Sequence, residues 1–266
     1  MSIRIGTAVA ATLGLVACTS STTSEIQVKN TDAASLKASP AGVATTVFTD
    51  LESIRPDNLA TGTSSSGCVT VSPLSPTSFR YTFNGCQSAN GGTMTGTVTV
   101  TTSGTGTVVN NALFDVVVTD ATSSWHYAGT KVITLNASAR TASLTVPDGQ
   151  PFTVSHQVTA DASKNKAWTY TTSLQADWSN ASAVRFWGEY AFHQAQPVGD
   201  TMTVTIPQVM PLTWSPGCAY PSAGVLNLSL PPASAEVRFN TSITDATVQQ
   251  GCGVITINGY RLALGQ

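Results

Sequence analysis

Residues 95–101 read TGTVTVT, and the period of that stretch decides the fold. Thr95, Thr97, Thr99 and Thr101 alternate with Gly96, Val98 and Val100, so an extended chain carries hydroxyls on one face and apolar groups on the other. The same period of two recurs outward from there. Thr141, Ser143 and Thr145 alternate with Ala142, Leu144 and Val146. Phe152, Val154, His156 and Val158 share one side of a strand, as do Trp168, Tyr170, Thr172 and Leu174, and later Met202, Val204 and Ile206. Turn residues punctuate these runs at Asn90-Gly91-Gly92, Pro147-Asp148-Gly149, Asp161-Ala162-Ser163 and Val198-Gly199-Asp200. With no helical pattern between them, the strands predict an all-β domain over 60–266, an antiparallel meander closing as a sandwich or partial barrel.

Before this region the period is helical. Val43, Val47 and Leu51 fall at i, i+4 and i+8, with Phe48 and Ile54 beside them, Ser39 placed to cap and Pro40 suited to a first turn. A short amphipathic helix over 39–56 is expected, stopping at Pro56, as a lid or end-cap on the sheet rather than a partner-binding element. Residues 19–30, TSSTTSEIQVKN, are small and polar without an apolar period and read as part of a tether over 18–38.

The first eighteen residues carry an address. Arg4 precedes an apolar run from Ile5 to Ala17 that ends in Leu15-Val16-Ala17-Cys18, the pattern of a signal peptide over 1–17 with a lipobox. This segment resembles bacterial lipoproteins. The resemblance implies diacylglyceryl transfer to the Cys18 thiol, cleavage before it and acylation of the new amino terminus. Thr19 rather than Asp after Cys18 then favours sorting to the outer membrane. The run is shorter than the roughly 20 residues a spanning helix needs, so attachment would rest on acyl chains alone, at about 0.8 kcal/mol per buried methylene.

Composition narrows the function classes. Charged residues are 10% of the chain, and Ser plus Thr make up about a quarter. Thr suits half-exposed strand surfaces. A net charge of -2 offers no basic field, so nucleic acid is not expected as a partner.

With Cys18 lipidated, Cys68, Cys86, Cys218 and Cys252 remain, an even set in an exported protein, for which disulfides are the default. Three connectivities are open. The nearest-neighbour pattern, Cys68 with Cys86 and Cys218 with Cys252, would staple two hairpins and is the one expected. Neither CxxC spacing nor neighbouring histidines point to a metal, and no cofactor is implied. The two cysteine regions, 68–102 and 218–258, share an order of Cys, strand, hairpin, strand and Cys-Gly-like closure, which suggests a degenerate repeat. That layout is similar to uncharacterised β-rich lipoproteins of environmental Gram-negative bacteria, a resemblance that implies no activity.

Catalytic motifs are scarce: GxSxG, HExxH, a phosphate-binding glycine loop and an Asp-rich calcium loop do not occur. His156, on an apolar strand face, reads as a core histidine, and His126, between Trp125 and Tyr127, as a packing neighbour of aromatics. The least bland stretch is 184–193, VRFWGEYAFH. Phe186, Tyr190 and Phe192 form its apolar face, while Arg185, Trp187, Glu189 and His193 line the other. A Trp flanked by hydrogen-bonding groups suits a sugar or a quaternary amine, so these four residues are the candidate ligand site. Arg185 and Glu189 lie about 13 Å apart on one strand, too far to pair with each other. The reading favoured is a lipid-anchored cell-envelope protein with a binding or surface-structural role and no catalysis, its partners the membrane and a glycan, amphiphile or envelope protein. The alternative is an envelope enzyme or glycan-binding module using residues 177–193, with Glu189, His193, Asp177 and His126 brought together from adjacent strands. A transmembrane barrel also fits the alternation, but aromatic girdles are not evident.

Overall fold

The computed structural model describes residues 50–51, 68–87, 92–147, 149–180, 183–196, 199, 201–215, 221–230, 233–240, 254–257 and 260–261. Alternating sequence becomes strand throughout: β1 (Val69–Ser75), β2 (Ser78–Gln87), β3 (Thr93–Ser103), β4 (Thr107–Thr119), β5 (Ser123–Asn136), β6 (Thr141–Val146), β7 (Phe152–Val158), β8 (Lys166–Asp177), β9 (Val184–Gln196), β10 (Thr201–Ile206), β11 (Leu212–Trp214), β12 (Gly224–Leu230), β13 (Ala233–Asn240), β14 (Val254–Ile257) and β15 (Tyr260–Arg261). All belong to one sheet with antiparallel pairing, neighbours in space following chain order from β1 to β15. The expected meander is therefore present.

The period of two sorts the faces as expected. Val98 and Val100 of β3 are buried while Thr95 and Thr101 are exposed, and Ala142, Leu144 and Val146 of β6 all point inward. Trp168, Tyr170, Thr172, Leu174 and Ala176 bury one side of β8, and Met202, Val204 and Ile206 one side of β10. These inner faces merge into a single apolar cluster from Tyr81 on β2 to Phe239 on β13. On the inner face Thr102 Oγ1 donates to Asn110 Oδ1 at 2.7 Å, a buried pair that satisfies the hydroxyl donor and engages the amide oxygen.

Two of the strand lines are interrupted, which the turn signals alone did not convey. β6 pairs with the C-terminal half of β5 and β7 with its N-terminal half, and both also pair with β8. The chain therefore does not reverse between β6 and β7; the strand line that β6 leaves resumes in the same direction with β7. β10 and β11 repeat the device against β9, with the excursion running from Pro207 to Pro211. Proline cannot donate to the ladder, so it marks where pairing is let go. By contrast, Asp161 does close a reversal: its carboxylate accepts from Ser163 N at 3.0 Å and caps the 3-10 turn Ala162–Lys164 between β7 and β8.

Glycine permits two close backbone approaches within the sheet. Gly188 on β9 has φ +139°, and a Cβ there would lie 2.0 Å from the Ser173 carbonyl oxygen. Gly224 on β12 has φ +115° and the same crowding against the Pro211 carbonyl at 2.2 Å. Only glycine tolerates both the positive φ and the close backbone approach.

Of the helix expected over 39–56, all but Asp50 and Leu51 lie outside the described residues. Those two are helical and sit on the inner face, where Leu51 has 0% exposure. Asp50, an acidic side chain, is also at 0%. Lys131 Nζ of β5 meets its Oδ1 at 2.6 Å, and the hydroxyls of Tyr170 on β8 and Tyr190 on β9 donate to Oδ2 at 3.2 and 3.4 Å. The ammonium also lies 4.5 Å from the Phe152 ring centroid and 5.3 Å from that of Phe114. Burial first, and then the Asp50 charge, push both tyrosine hydroxyls well above their ordinary range. This ion pair, central to the core, has no periodic signature in the sequence.

Cys68 and Cys86 form a disulfide with Cα atoms 5.2 Å apart, joining the start of β1 to the end of β2. Cys218 and Cys252, the second expected pair, lie outside the described residues, as do Cys18 and the segments expected to be signal peptide and tether.

Candidate functional site

The outer face of β9 presents the residues that the sequence singled out. Phe186, Tyr190 and Phe192 face inward with 0%, 1% and 3% exposure, so Arg185, Trp187, Glu189, Ala191 and His193 must face outward. Arg185, Glu189 and His193 are exposed; Trp187 is half-buried, its ring resting partly against the core.

A shallow depression of about 350 Å³ opens beside Trp187, lined by Ser173 and Gln175 of β8, Trp187, Gly188 and Glu189 of β9, Thr205 and Ile206 of β10, and Pro207 and Gln208. Register explains it. Across β8, Gln175 pairs with Trp187 and Ser173 with Glu189; on the other side Thr205 pairs with Glu189. Trp187 itself has no strand opposite it there, because β10 ends with Ile206 against Gly188 and β11 begins with Leu212 against Phe186. The Pro207–Pro211 excursion therefore leaves a notch one residue long in the ladder, and the indole forms its wall. Gly188 draws β9 against the Ser173 carbonyl at the same point.

The polar groups around this notch are not engaged with one another. Among the described residues, the side chains of Ser173, Gln175, Trp187, Glu189, Thr205 and Gln208 make no hydrogen bond or ion pair; Thr172 Oγ1 donates to the Glu189 backbone carbonyl at 2.8 Å and leaves the carboxylate untouched. Arg185 differs: its Nη2 meets Asp177 Oδ2 at 2.5 Å across the β8–β9 pair. Hydrogen bonds from Ser179, followed by the Arg185 guanidinium, hold the Asp177 carboxyl below the usual range. Glu189, on the rim, thus has no ionic partner among the described residues. His193 lies further along β9, its Nδ1 3.3 Å from Thr201 Oγ1.

The four residues of the enzymatic alternative are not brought together. Asp177 is taken by Arg185, and Glu189 and His193 remain about 13 Å apart along β9. His126 is three strand positions away, on β5 beyond β7 and β8, a lateral distance of about 14 Å. There its Nε2 lies 2.8 Å from Asp115 Oδ1 on the open surface. This corrects the packing role expected for His126: Trp125 and Tyr127 turn inward and leave it outside. His156 does sit among aromatics, stacked 4.1 Å from Trp125, which in turn stacks on Trp168. Burial lowers its pKa, with Asp120 and Lys166 pulling in opposite directions. No group of three or more His, Cys, Asp or Glu side chains among the described residues is placed to hold a metal ion.

Neither a family model, nor a curated protein, nor a solved structure matches the chain. The functional reading accordingly rests on the geometry of the notch and on the amino-terminal motif. The notch itself was only half visible in the sequence: the Trp187 face follows from alternation, whereas Ser173, Gln175 and Thr205 join it by register. The prolines at 207 and 211 are the one signal that a strand line breaks nearby.

Proposed function

We propose that this chain is an exported protein, lipid-anchored at Cys18 in a bacterial outer membrane, whose β body acts by binding rather than by catalysis. The observation that carries the binding role is the notch beside Trp187, where a half-buried indole is ringed by side chains without hydrogen-bond partners among the described residues. The acid–base candidates, in contrast, are dispersed over the same face.

The sheet is best read as a partial barrel. One continuous inner face holds the core, and side chains from β5, β8 and β9 converge on Asp50 inside it. An outer face bearing Arg80, Asp115, His126, Arg185 and Glu189 is unsuited to lipid, since a buried arginine at a bilayer midplane costs about 2–4 kcal/mol. The anchor is therefore assigned to acyl chains, and the glycine-poor, hydroxyl-rich tether holds the body off the membrane.

Labelling with radioactive palmitate in a Gram-negative host tests the address. The full chain is expected to take up label and to fractionate with the outer membrane, and Cys18→Ala to lose both. Label on the Cys18→Ala chain, or an unlabelled wild type, would sink the lipoprotein reading.

A further inference from the structure

We propose that the notch beside Trp187 is a carbohydrate site taking one or two neutral pyranose rings of a longer glycan chain. This rests on the binding role argued above and names its ligand class.

The chemistry of the rim excludes the other candidates in turn. An anion finds no cation among the described lining residues: Arg185, two positions from Trp187 on the same face of β9, is paired with Asp177, while the Glu189 carboxylate would repel it. A quaternary amine is held by several aromatic faces, and here the lining has one, Trp187. An acyl chain would bury Ser173, Gln175, Glu189, Thr205 and Gln208 with their polar atoms unmet, which is costly for each. A pyranose matches what remains. Its face of C–H bonds lies on an indole, and its hydroxyls both donate and accept.

The positions fit that division of labour. Glu189, acceptor only, can receive two neighbouring hydroxyls, while the Gln175 and Gln208 amides and the Ser173 and Thr205 hydroxyls serve either sense. Gln175 and Trp187 are directly opposite across β8–β9, as are Ser173 and Glu189, so platform and acceptors lie on adjacent rungs. At about 350 Å³ the depression is near the small end of ligand sites, and it is open along the sheet surface, which suits a segment within a polymer.

The test is calorimetric titration of the full chain, in detergent, with chitohexaose, cellohexaose and maltohexaose, alongside tetramethylammonium and inorganic phosphate. At least one hexasaccharide is expected to bind and the two ions not to. Trp187→Ala should weaken that binding about tenfold or more, the loss of one stacking platform, and Trp187→Phe should restore part of it. Glu189→Gln should weaken it less. Melting curves of the variants within a few degrees of wild type exclude unfolding as the cause. The inference is overturned if no hexasaccharide binds at millimolar concentration, if Trp187→Ala binds as wild type does, or if only an ion binds. Failure here with intact palmitate labelling removes the ligand class and leaves the envelope address standing. Shortened oligosaccharides in the cell after titration would support the site and overturn the non-catalytic reading.

Discussion

Lys131 shows what a single residue does in this molecule. Its neighbours at alternate positions, Ile133 and Gly129, belong to the inner face of β5, and a lysine in that row is costly unless its charge is met. Asp50 meets it, and Tyr170 and Tyr190 complete the hydrogen bonding of the carboxylate. Lys131→Met should leave Asp50 buried without its counter-charge and destabilise the fold by about 3–5 kcal/mol. For a domain of this size that lowers the melting temperature by about 6–20 °C. Adding Asp50→Asn, which keeps an acceptor for the two tyrosines, should recover much of the loss. Thermal unfolding followed by circular dichroism reads both variants, and equal melting of the single and double variants would show the pair to be dispensable. The partnership spans 81 positions of sequence, so nothing local announces it.

At the scale of elements, the first hairpin illustrates how an edge is secured. β1 is exposed along almost its whole length, with Val71 and Leu74 each half open, so packing contributes little there. Pro73 interrupts its ladder, a common way of blunting an edge strand. The Cys68–Cys86 disulfide supplies the missing constraint by closing a loop of 18 positions, worth about 3 kcal/mol through the unfolded chain. The Cys68→Ala/Cys86→Ala variant is expected to lose about that amount in denaturant unfolding, with the rest of the sheet intact. A loss under half a kilocalorie per mole would mean that hairpin pairing alone holds the edge. The pairing was legible from cysteine spacing. What the strand runs did not reveal was continuity: 141–146 and 152–158 look like a hairpin, yet both pair with β5 and β8 as two pieces of one line. Turn residues report that pairing stops, and only the neighbouring strands decide whether the chain then reverses or resumes.

Taken as a whole molecule, the titrating groups with displaced pKa values predict a one-sided response to acid. His156 is lowered from 6.5, so between its folded value and 6.5 the unfolded chain binds more protons and stability falls as pH drops. Asp120, held down to about 2 by the Thr122 amide and hydroxyl and then by Ser123, adds stability that is present above about 4 and lost as pH falls toward 2. Asp177 and Asp161 act in the same sense. At the alkaline end Tyr127, pushed up to about 12 by burial, and the buried Tyr170 and Tyr190 favour the folded state's protonated form, so stability declines again above about 10. Denaturant unfolding at pH 7, 5 and 3 should show two successive losses, and His156→Gln should flatten the first. A wild-type profile unchanged between pH 7 and 5 would contradict the burial of His156.

By itself the sequence pointed to the all-β class, the antiparallel meander, the inward and outward faces of the alternating runs such as 95–101, 141–146 and 202–206, and, as the expected one of three connectivities, the Cys68–Cys86 pairing, because each depends on a period of two or on near neighbours. Tertiary structure alone decided where strand lines break, that Lys131 meets Asp50, that His126 stands outside, and that Ser173, Gln175 and Thr205 gather around Trp187. Those outcomes depend on register between strands far apart in the chain, where the free energy of a position is set by what the neighbouring strand places opposite it.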